Sequence, residues 1–505
     1  MSAGMTQKPP QHPKLSTGTA GLDAILGGGI ERGRAYLVEG TPGTGKTTLA
    51  LSFLHEGVRQ GDATLYVTLS ESEVELRSVA ASHGWDMDGV DIYELVAAAS
   101  LDGDAEQSVL HPAELELGET ARAVMDRVRA RSPARIVFDS LSEIRLLAEN
   151  PQRYRRQVLA LKRFFAQQGC TVLLLDDQSS NASASGGDLQ LHSMVHGVVT
   201  LQQIPLDYGA ERRRLRVVKL RGSPFRGGYH DFAIRRGGLS VYPRLVAQEH
   251  RAAFDPTPVS TGNAGFDRLL GGGLCPGTNT LLIGPSGAGK TTTAISALVA
   301  ALRRGGRAAY FLFDEGLPTL LARSVALGMD LRPFVETGQL TLRQIDPAEM
   351  SPGEFAHRVR HAVERDGARF VAIDNLNAYM QSMPGETYLL LQMHELLTYL
   401  NQQGVVTVLV LGQHGIIGQV TVTVDLSYLA DAIVLLRYFE ADGEVRKAVS
   451  VIKTRTAGHE RTVREITVGP NGLSLGAPLT GAQGALSGLP VWAGGSASSA
   501  AAGPG

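Results

Sequence analysis

Short apolar, β-branched runs alternate along the chain with stretches whose apolar residues recur at helical spacing. The run 34–39 predicts a strand, followed by a glycine-rich loop and a helix from Lys46 to about Gln60. Further strands are expected at 64–69, 135–139 and 171–176, with a helix over 151–168. The same order returns downstream: strand 280–283, helix 290–304, strands 308–313 and 369–374, helix 385–402 and strand 405–411. Two β-rich segments, near 195–242 and 431–475, close the two series. Strands alternating with helices imply βαβ units, hence an α/β fold with a mostly parallel sheet flanked by helices.

The chain also repeats itself. Residues 15–30, LSTGTAGLDAILGGGI, return 244 positions later as VSTGNAGFDRLLGGGL at 259–274. The same offset carries Gly40, Lys46 and Thr47 onto Gly284, Lys290 and Thr291, and Glu71 onto Glu315. Asp139 then corresponds to Asp374, and Lys219-Leu220-Arg221 to Lys453-Thr454-Arg455. A duplicated domain follows, with copies expected at 15–245 and 259–475. The proline-bearing stretch 246–258 reads as a linker. The N-terminal segment 1–14 and the uncharged Gly/Ala/Ser-rich tail 476–505 are expected to be flexible.

Composition narrows the classes. At 505 residues with 43% hydrophobic and 19% charged positions, the chain has globular make-up and material for several domains. Its net charge of −2 excludes a polycationic nucleic-acid coat. Only Cys170 and Cys275 occur, which excludes a disulfide framework and suits a reducing cytosol. No apolar run reaches the ~18 residues of a membrane span, and the N-terminus has no signal-peptide h-region. A cytoplasmic protein without a membrane partner is expected.

The glycine-rich loops carry the chemistry. Gly40-Thr41-Pro42-Gly43-Thr44-Gly45-Lys46-Thr47, with Thr48 next, matches GxxxxGK[ST], and so does Gly284-Pro285-Ser286-Gly287-Ala288-Gly289-Lys290-Thr291, with Thr292 next. Such a loop curls its N–H groups toward phosphate oxygens, and the following helix turns its positive end to the same anion. Lys46 and Lys290 are expected on the outer phosphates, and Thr47 and Thr291 on magnesium. Asp139 and Asp374 end apolar strands, where a carboxylate can hold the magnesium's water shell; a helix N-cap is the plainer reading. Glu71 and Glu315, each 25 residues past its loop lysine, stand just after a strand, placed to orient or deprotonate an attacking oxygen rather than merely to be solvated. Gln178 and Gln413 follow the next strand and read equally as γ-phosphate sensors or turn residues. The histidines show no metal-ligand spacing.

A phosphate loop, a strand-tip carboxylate and a strand-end Asp together resemble the RecA-like ATPase core. The finer pattern is narrower: STGxxGxDxxLGGG before each loop, Tyr66-Val-Thr-Leu-Ser-Glu71, Lys219-Leu-Arg-Gly222, and Val422-Thr-Val-Asp-Leu-Ser427-Tyr428-Leu-Ala-Asp431. With the tandem duplication, it resembles the KaiC family of circadian-clock ATPases. That resemblance implies two tandem RecA-like P-loop NTPase domains, ATP and Mg2+ as cofactors, and a hexameric ring with ATP between subunits. It implies that Lys219, Leu220 and Arg221, and Lys453, Thr454 and Arg455, reach the neighbouring subunit's nucleotide. Independently, basic residues at i and i+2 of a strand share a face. It further implies autophosphorylation in the second domain, with Ser427 at the family's serine. The adjacent threonine position is Tyr428, expected to pack among apolar neighbours. The family's paired strand-tip glutamates are Ser70-Glu71 in the first domain and Asp314-Glu315 in the second, so Asp314 is a shortened candidate base. The family's charged C-terminal tail, which binds a clock partner, is replaced by the uncharged 476–505 segment.

The leading expectation is an oligomeric ATPase with serine autokinase activity that serves as a timing or signalling module. Two other classes compete with it. A DNA-dependent motor would use basic clusters with stacking aromatics. Arg153-Tyr-Arg-Arg156 reads as a solvated helix face, Arg212-Arg-Arg214 as a charged hairpin edge, and aromatics are only 6%, which argues against nucleic acid. A nucleotide-gated scaffold would assemble without hydrolysis, against which the intact carboxylates of the first domain speak.

Overall fold

The computed structural model describes residues 14–95, 112–148, 150–178, 188–206, 208–381, 388–413, 427–441, 443–456, 458–470, 472–480, 482–483 and 491–492. The chain divides into two compact units, Met1–Arg244 and Leu245–Gly505.

The main sheet of the first unit contains, in chain order, β1 (Ala35–Gly40), β2 (Thr64–Thr68), β3 (Val90–Glu94), β4 (Arg135–Asp139), β5 (Thr171–Asp177), β6 (Gly197–Ile204), β7 (Arg212–Leu220), β8 (Tyr229–Arg235) and β9 (Gly238–Tyr242). Their spatial order is β9-β8-β7-β6-β1-β5-β4-β2-β3. From β3 across to β6 every pairing is parallel; β7, β8 and β9 extend the sheet antiparallel. The central strands read as continuous apolar runs because both their faces are covered. Along β1, Tyr36 and Val38 join one buried layer with Leu49 and Phe53, while Leu37 joins the other with Phe165 and Leu174.

The second unit repeats this plan with β10 (Thr278–Gly284), β11 (Ala308–Leu312), β12 (Leu340–Gln344), β13 (Phe370–Asp374), β14 (Val406–Gly412), β15 (Ala432–Ala441), β16 (Glu444–Thr454), β17 (Arg464–Gly469) and β18 (Gly472–Pro478). The order β12-β11-β13-β14-β10-β15-β16-β17-β18 is that of the first unit, element for element. These are two tandem mostly parallel sheets flanked by helices. Leu281 and Leu282 on β10 point into opposite layers, as their counterparts do on β1.

Three details differ from the expected layout. Within 246–258, Ala247 is buried in the core of the second unit, where its N–H donates to Glu395 at 3.2 Å and the ring of nearby His250 meets Tyr399 edge-on. The final strand runs through residue 475 to Pro478, and Ala482–Gln483 pairs with Val491–Trp492. Arg212-Arg-Arg214 does not form an edge: β7 lies between β6 and β8. There Arg212 is buried, Arg213 pairs with Glu211 at 3.0 Å, and the Arg214 guanidinium stacks 4.1 Å from the Tyr229 ring centre. Residues 1–13 and most of the tail lie outside the described residues. No helix among the described residues is long and apolar enough to cross a membrane.

Candidate functional site

Parallel strands end at one edge of their sheet, and the loops that leave that edge are where α/β folds gather ligands. In the first unit β1 runs into the loop 40–45, and the helix Lys46–Arg59 follows without a break. Gly45, just before the helix, has φ 95°, a left-handed conformation that requires glycine; Gly289 repeats it at φ 105° ahead of the helix Lys290–Arg303. Both loops thus present a free helix N-terminus behind a curled backbone.

The first loop holds its lysine by acceptors of its own unit. Lys46 Nζ donates to the carbonyls of Gly40 and Thr41 at 2.9 and 3.1 Å and lies 2.6 Å from Asp177 Oδ1, at the end of β5. Asp139, at the end of β4, accepts a hydrogen bond from Tyr66 Oη at 2.5 Å, and the same hydroxyl bonds Thr47. Burial pushes the Asp139 carboxyl above its ordinary range, with Asp177 adding to the effect. Glu71 follows β2 in a turn tied by the Thr68 hydroxyl, which accepts from the Glu71 N–H at 3.0 Å and donates to its carbonyl at 2.8 Å. Glu71 Oε2 is buried without a hydrogen-bond partner. Burial and then the charge of Asp139 raise its pKa. A carboxylate kept basic and unpaired beside a lysine and a second acid has the properties of a proton acceptor. Thr48 faces inward instead, 3.4 Å from His83 Nε2.

The second loop is built alike and charged differently. Asp374 Oδ2 accepts from both Thr291 Oγ1 and Tyr310 Oη at 2.7 Å. Lys290 donates to the Pro285 carbonyl at 2.7 Å, and burial, partly opposed by Asp374, holds its pKa down. At the position of Asp177 stands Gly412, paired with Gly284 as Asp177 is with Gly40. Glu315 is not free: Arg323 Nη2 lies 2.7 Å from its Oε2. Asn375 donates to Asp314. A cavity of about 450 Å³ opens here, lined among others by Lys290, Thr291, Glu315, Leu327, Lys447 and Val468, a size that suits a small organic ligand. Thr292 is buried in the helix beneath.

The remaining expected residues lie apart from the loops of their own unit. Lys219 donates to the carbonyls of His192 and Val195, the latter at 2.9 Å, and Arg221 to that of Ser193 at 2.7 Å; Leu220 packs on the core. Lys453 donates to the Ala430 carbonyl at 2.9 Å, Arg455 Nη1 lies 3.2 Å from Asp431, and Thr454 bonds His459. Ser427 starts the short turn Ser427–Leu429, and the residues 414–426 before it lie outside the described residues. Tyr428 is 53% exposed, contrary to the expectation of apolar packing, because Leu429 and Ala430 take the buried positions of this turn. Gln178 serves neither expected reading alone: its side chain, with His192 at 2.9 Å and Thr200 at 2.7 Å, bonds the buried Glu39. Burial pushes the Glu39 carboxyl up, but these hydrogen bonds outweigh it and hold its pKa low.

The sequence alone assigned no role to Tyr66, although it heads a quoted motif, nor to Tyr310, Asp177, Arg323 and Lys447. The tyrosines had a signal, since they are related by the same 244-residue offset as the loops. Asp177 and Arg323 are signalled only by differences between the copies, against Gly412 and Val79, and Lys447, matched by Arg213, has no such signal.

The parallel sheet, the strand-to-helix loops and the strand-end acids define a tandem P-loop NTPase of the RecA-like type. Comparison with known proteins narrows this further: the model of the KaiC ATPase family matches residues 15–246 and 259–479. The chain belongs to the KaiC family of ATPases. It is 25% identical over 484 residues to the circadian clock protein KaiC3 of Synechocystis sp., covering 95% of both chains. It is 26% identical to the circadian clock oscillator protein KaiC of Picosynechococcus sp., with 95% of this chain and 92% of that one covered. The KaiC of Acaryochloris marina is 27% identical, with coverage of 95% and 91%.

Proposed function

We propose that both units bind ATP with magnesium and hydrolyse it, that the chain assembles into a ring with nucleotide between subunits, and that the second unit transfers phosphate to Ser427. The observation that carries the first part is the recurrence in each unit of a curled loop, a buried lysine, and a hydrogen-bonded trio of threonine, buried tyrosine and strand-end acid, joined through the Tyr66 hydroxyl in the first unit and through the Asp374 carboxylate in the second. The hydroxyl of Thr47 or Thr291 beside Asp139 or Asp374 is an all-oxygen donor set that suits magnesium. Among the described residues no cluster of three His, Cys, Asp or Glu side chains could hold a metal alone, in keeping with an ion that retains waters and phosphate oxygens. When bound, the ion would neutralise charge on the β- and γ-phosphates.

The residues of the chain do the rest. Lys46 and Lys290 exchange their carbonyl partners for phosphate oxygens. Glu71 accepts the proton of the attacking water as its oxygen bonds to the γ-phosphorus and the bond to the β–γ bridging oxygen breaks, leaving ADP and phosphate. In the second unit Glu315 or Asp314 would serve the same role toward water or the Ser427 hydroxyl. Lys219 and Arg221, and Lys453 and Arg455, each pair at the end of one strand, would exchange their present acceptors for the nucleotide of the neighbouring subunit. The names of the relatives support a role as a timing or signalling module with protein partners. A nucleic-acid motor is disfavoured because the arginines of β7 are engaged by Glu211, Gln202 and Tyr229.

The test is ATP turnover by the purified chain. Lys46→Ala combined with Lys290→Ala abolishes it under this reading; unchanged turnover in the double variant would sink the reading.

A further inference from the structure

We propose that Arg323 is a positioning residue of the second site, restraining Glu315 so that this carboxylate is a poorer proton acceptor than its counterpart in the first unit. The inference rests on the reading of Glu315 as the group that faces the attacking oxygen.

Arg323 projects from the helix Leu317–Ala326, which follows Glu315 directly, and its Nη2 sits 2.7 Å from Glu315 Oε2. Both residues line the same cavity as Lys290, Thr291 and Asp374. Arg323 Nε is buried and has no hydrogen-bond partner. The guanidinium charge also bears on Tyr310, the tyrosine that donates to Asp374. The cation therefore touches the carboxylate on one side and has a further, unpaired donor buried behind it.

The duplication supplies the control. An offset of 244 carries Arg323 onto Val79, a partly buried apolar residue packed on the core of the first unit. Among the described residues Glu71 makes no ion pair of this kind, and one of its oxygens is buried and unpartnered. The ion pair of Glu315 with Arg323 is thus one of the differences between the two strand-tip glutamates, beside Ser70 against Asp314 and Asp177 against Gly412. A guanidinium bonded to a carboxylate occupies the lone pair that would take a proton and fixes the direction of that oxygen. A general base must reach the proton it removes, so an oxygen held by another donor serves less well. The same cation adds positive charge to a site built for phosphate, so it favours nucleotide binding while it restrains the base.

The experiment uses the full chain carrying Lys46→Ala, so that the second site alone turns over ATP. In that background Arg323→Val, which installs the first-unit residue, should raise kcat about three- to tenfold, the partial exposure of the pair limiting the gain, and should raise KM as well. Arg323→Lys, which keeps a charge but not the fork, should return both values toward those of the parent. Arg323→Gln serves if the valine variant unfolds. An unchanged or lowered kcat in both neutral variants overturns the proposal, as does the absence of turnover in every member of the series. Glu315→Gln in the same background separates the two readings. If it lowers turnover while Arg323 variants leave kcat alone, only the role of Arg323 fails. If it has no effect, the role of Glu315 fails and the proposal with it.

Discussion

Replacing Asp177 by Asn should tighten ATP binding at the first site. Lys46 must reach the outer phosphates, yet it is held 2.6 Å from the Asp177 carboxylate. A charge-assisted contact of this kind is worth about 2–3 kcal/mol when dry. Asp177 is 42% exposed, so solvent screening reduces that to about 1 kcal/mol. Nucleotide must displace this partner, and removing the charge at constant size returns that energy to binding, roughly a fivefold gain in affinity. A fluorescent ATP analogue titrated onto the full chain, with Lys290→Ala silencing the second site, reads the change. The converse substitution, Gly412→Asp, should weaken the second site by a similar factor. An Asp177→Asn variant that binds equally or more weakly would refute the reasoning, since Asp177 would then support the bound nucleotide rather than compete with it.

Two more outcomes follow from particular side chains. His230 is buried with both ring nitrogens bonded as a neutral imidazole, Nε2 to the Arg226 carbonyl and Nδ1 to the Arg244 N–H, and burial pushes its pKa down to about 4. Its folded value lies below the unfolded one, so the unfolded chain binds more protons in the interval between; stability is fully present above about pH 6.5 and falls by at most about 3 kcal/mol on acidification toward pH 4. Urea unfolding of the first unit between pH 7.5 and 5 should show this loss, and His230→Asn should flatten it. Incubation with γ-labelled ATP and site mapping should place label on Ser427 that disappears in Ser427→Ala; free phosphate with unlabelled protein would remove the kinase half of the proposed function and leave hydrolysis standing.

The parts of the fold and site legible in the sequence were those governed by local spacing. GxxxxGK[ST] between an apolar run and a helical run prescribes a loop whose glycine must be left-handed, and Gly45 and Gly289 are. Asp139 and Asp374 were legible because an acid at the end of an apolar strand needs a reason to be there. Asp177 and Arg323 were not, because neither belongs to a motif: one arrives on a neighbouring strand and the other on the next helix, and their partners are fixed by sheet order. The contrasts Asp177 with Gly412 and Arg323 with Val79 were the readable trace. Side-chain direction was the weakest inference. Tyr428 points outward although leucines flank it, since a single short turn buries only some of its members. Arg212-Arg-Arg214 looked like an edge because charge commonly marks edges, whereas here β8 and β9 continue the sheet beyond it.

The central claim is that one chain carries two ATP sites. Calorimetric titration of nucleotide-free protein with magnesium and ATP counts them directly. Two molecules bound per chain in the wild type, and one in each of Lys46→Ala and Lys290→Ala, is the predicted result; a single equivalent in the wild type, or a count unmoved by either substitution, would contradict the account.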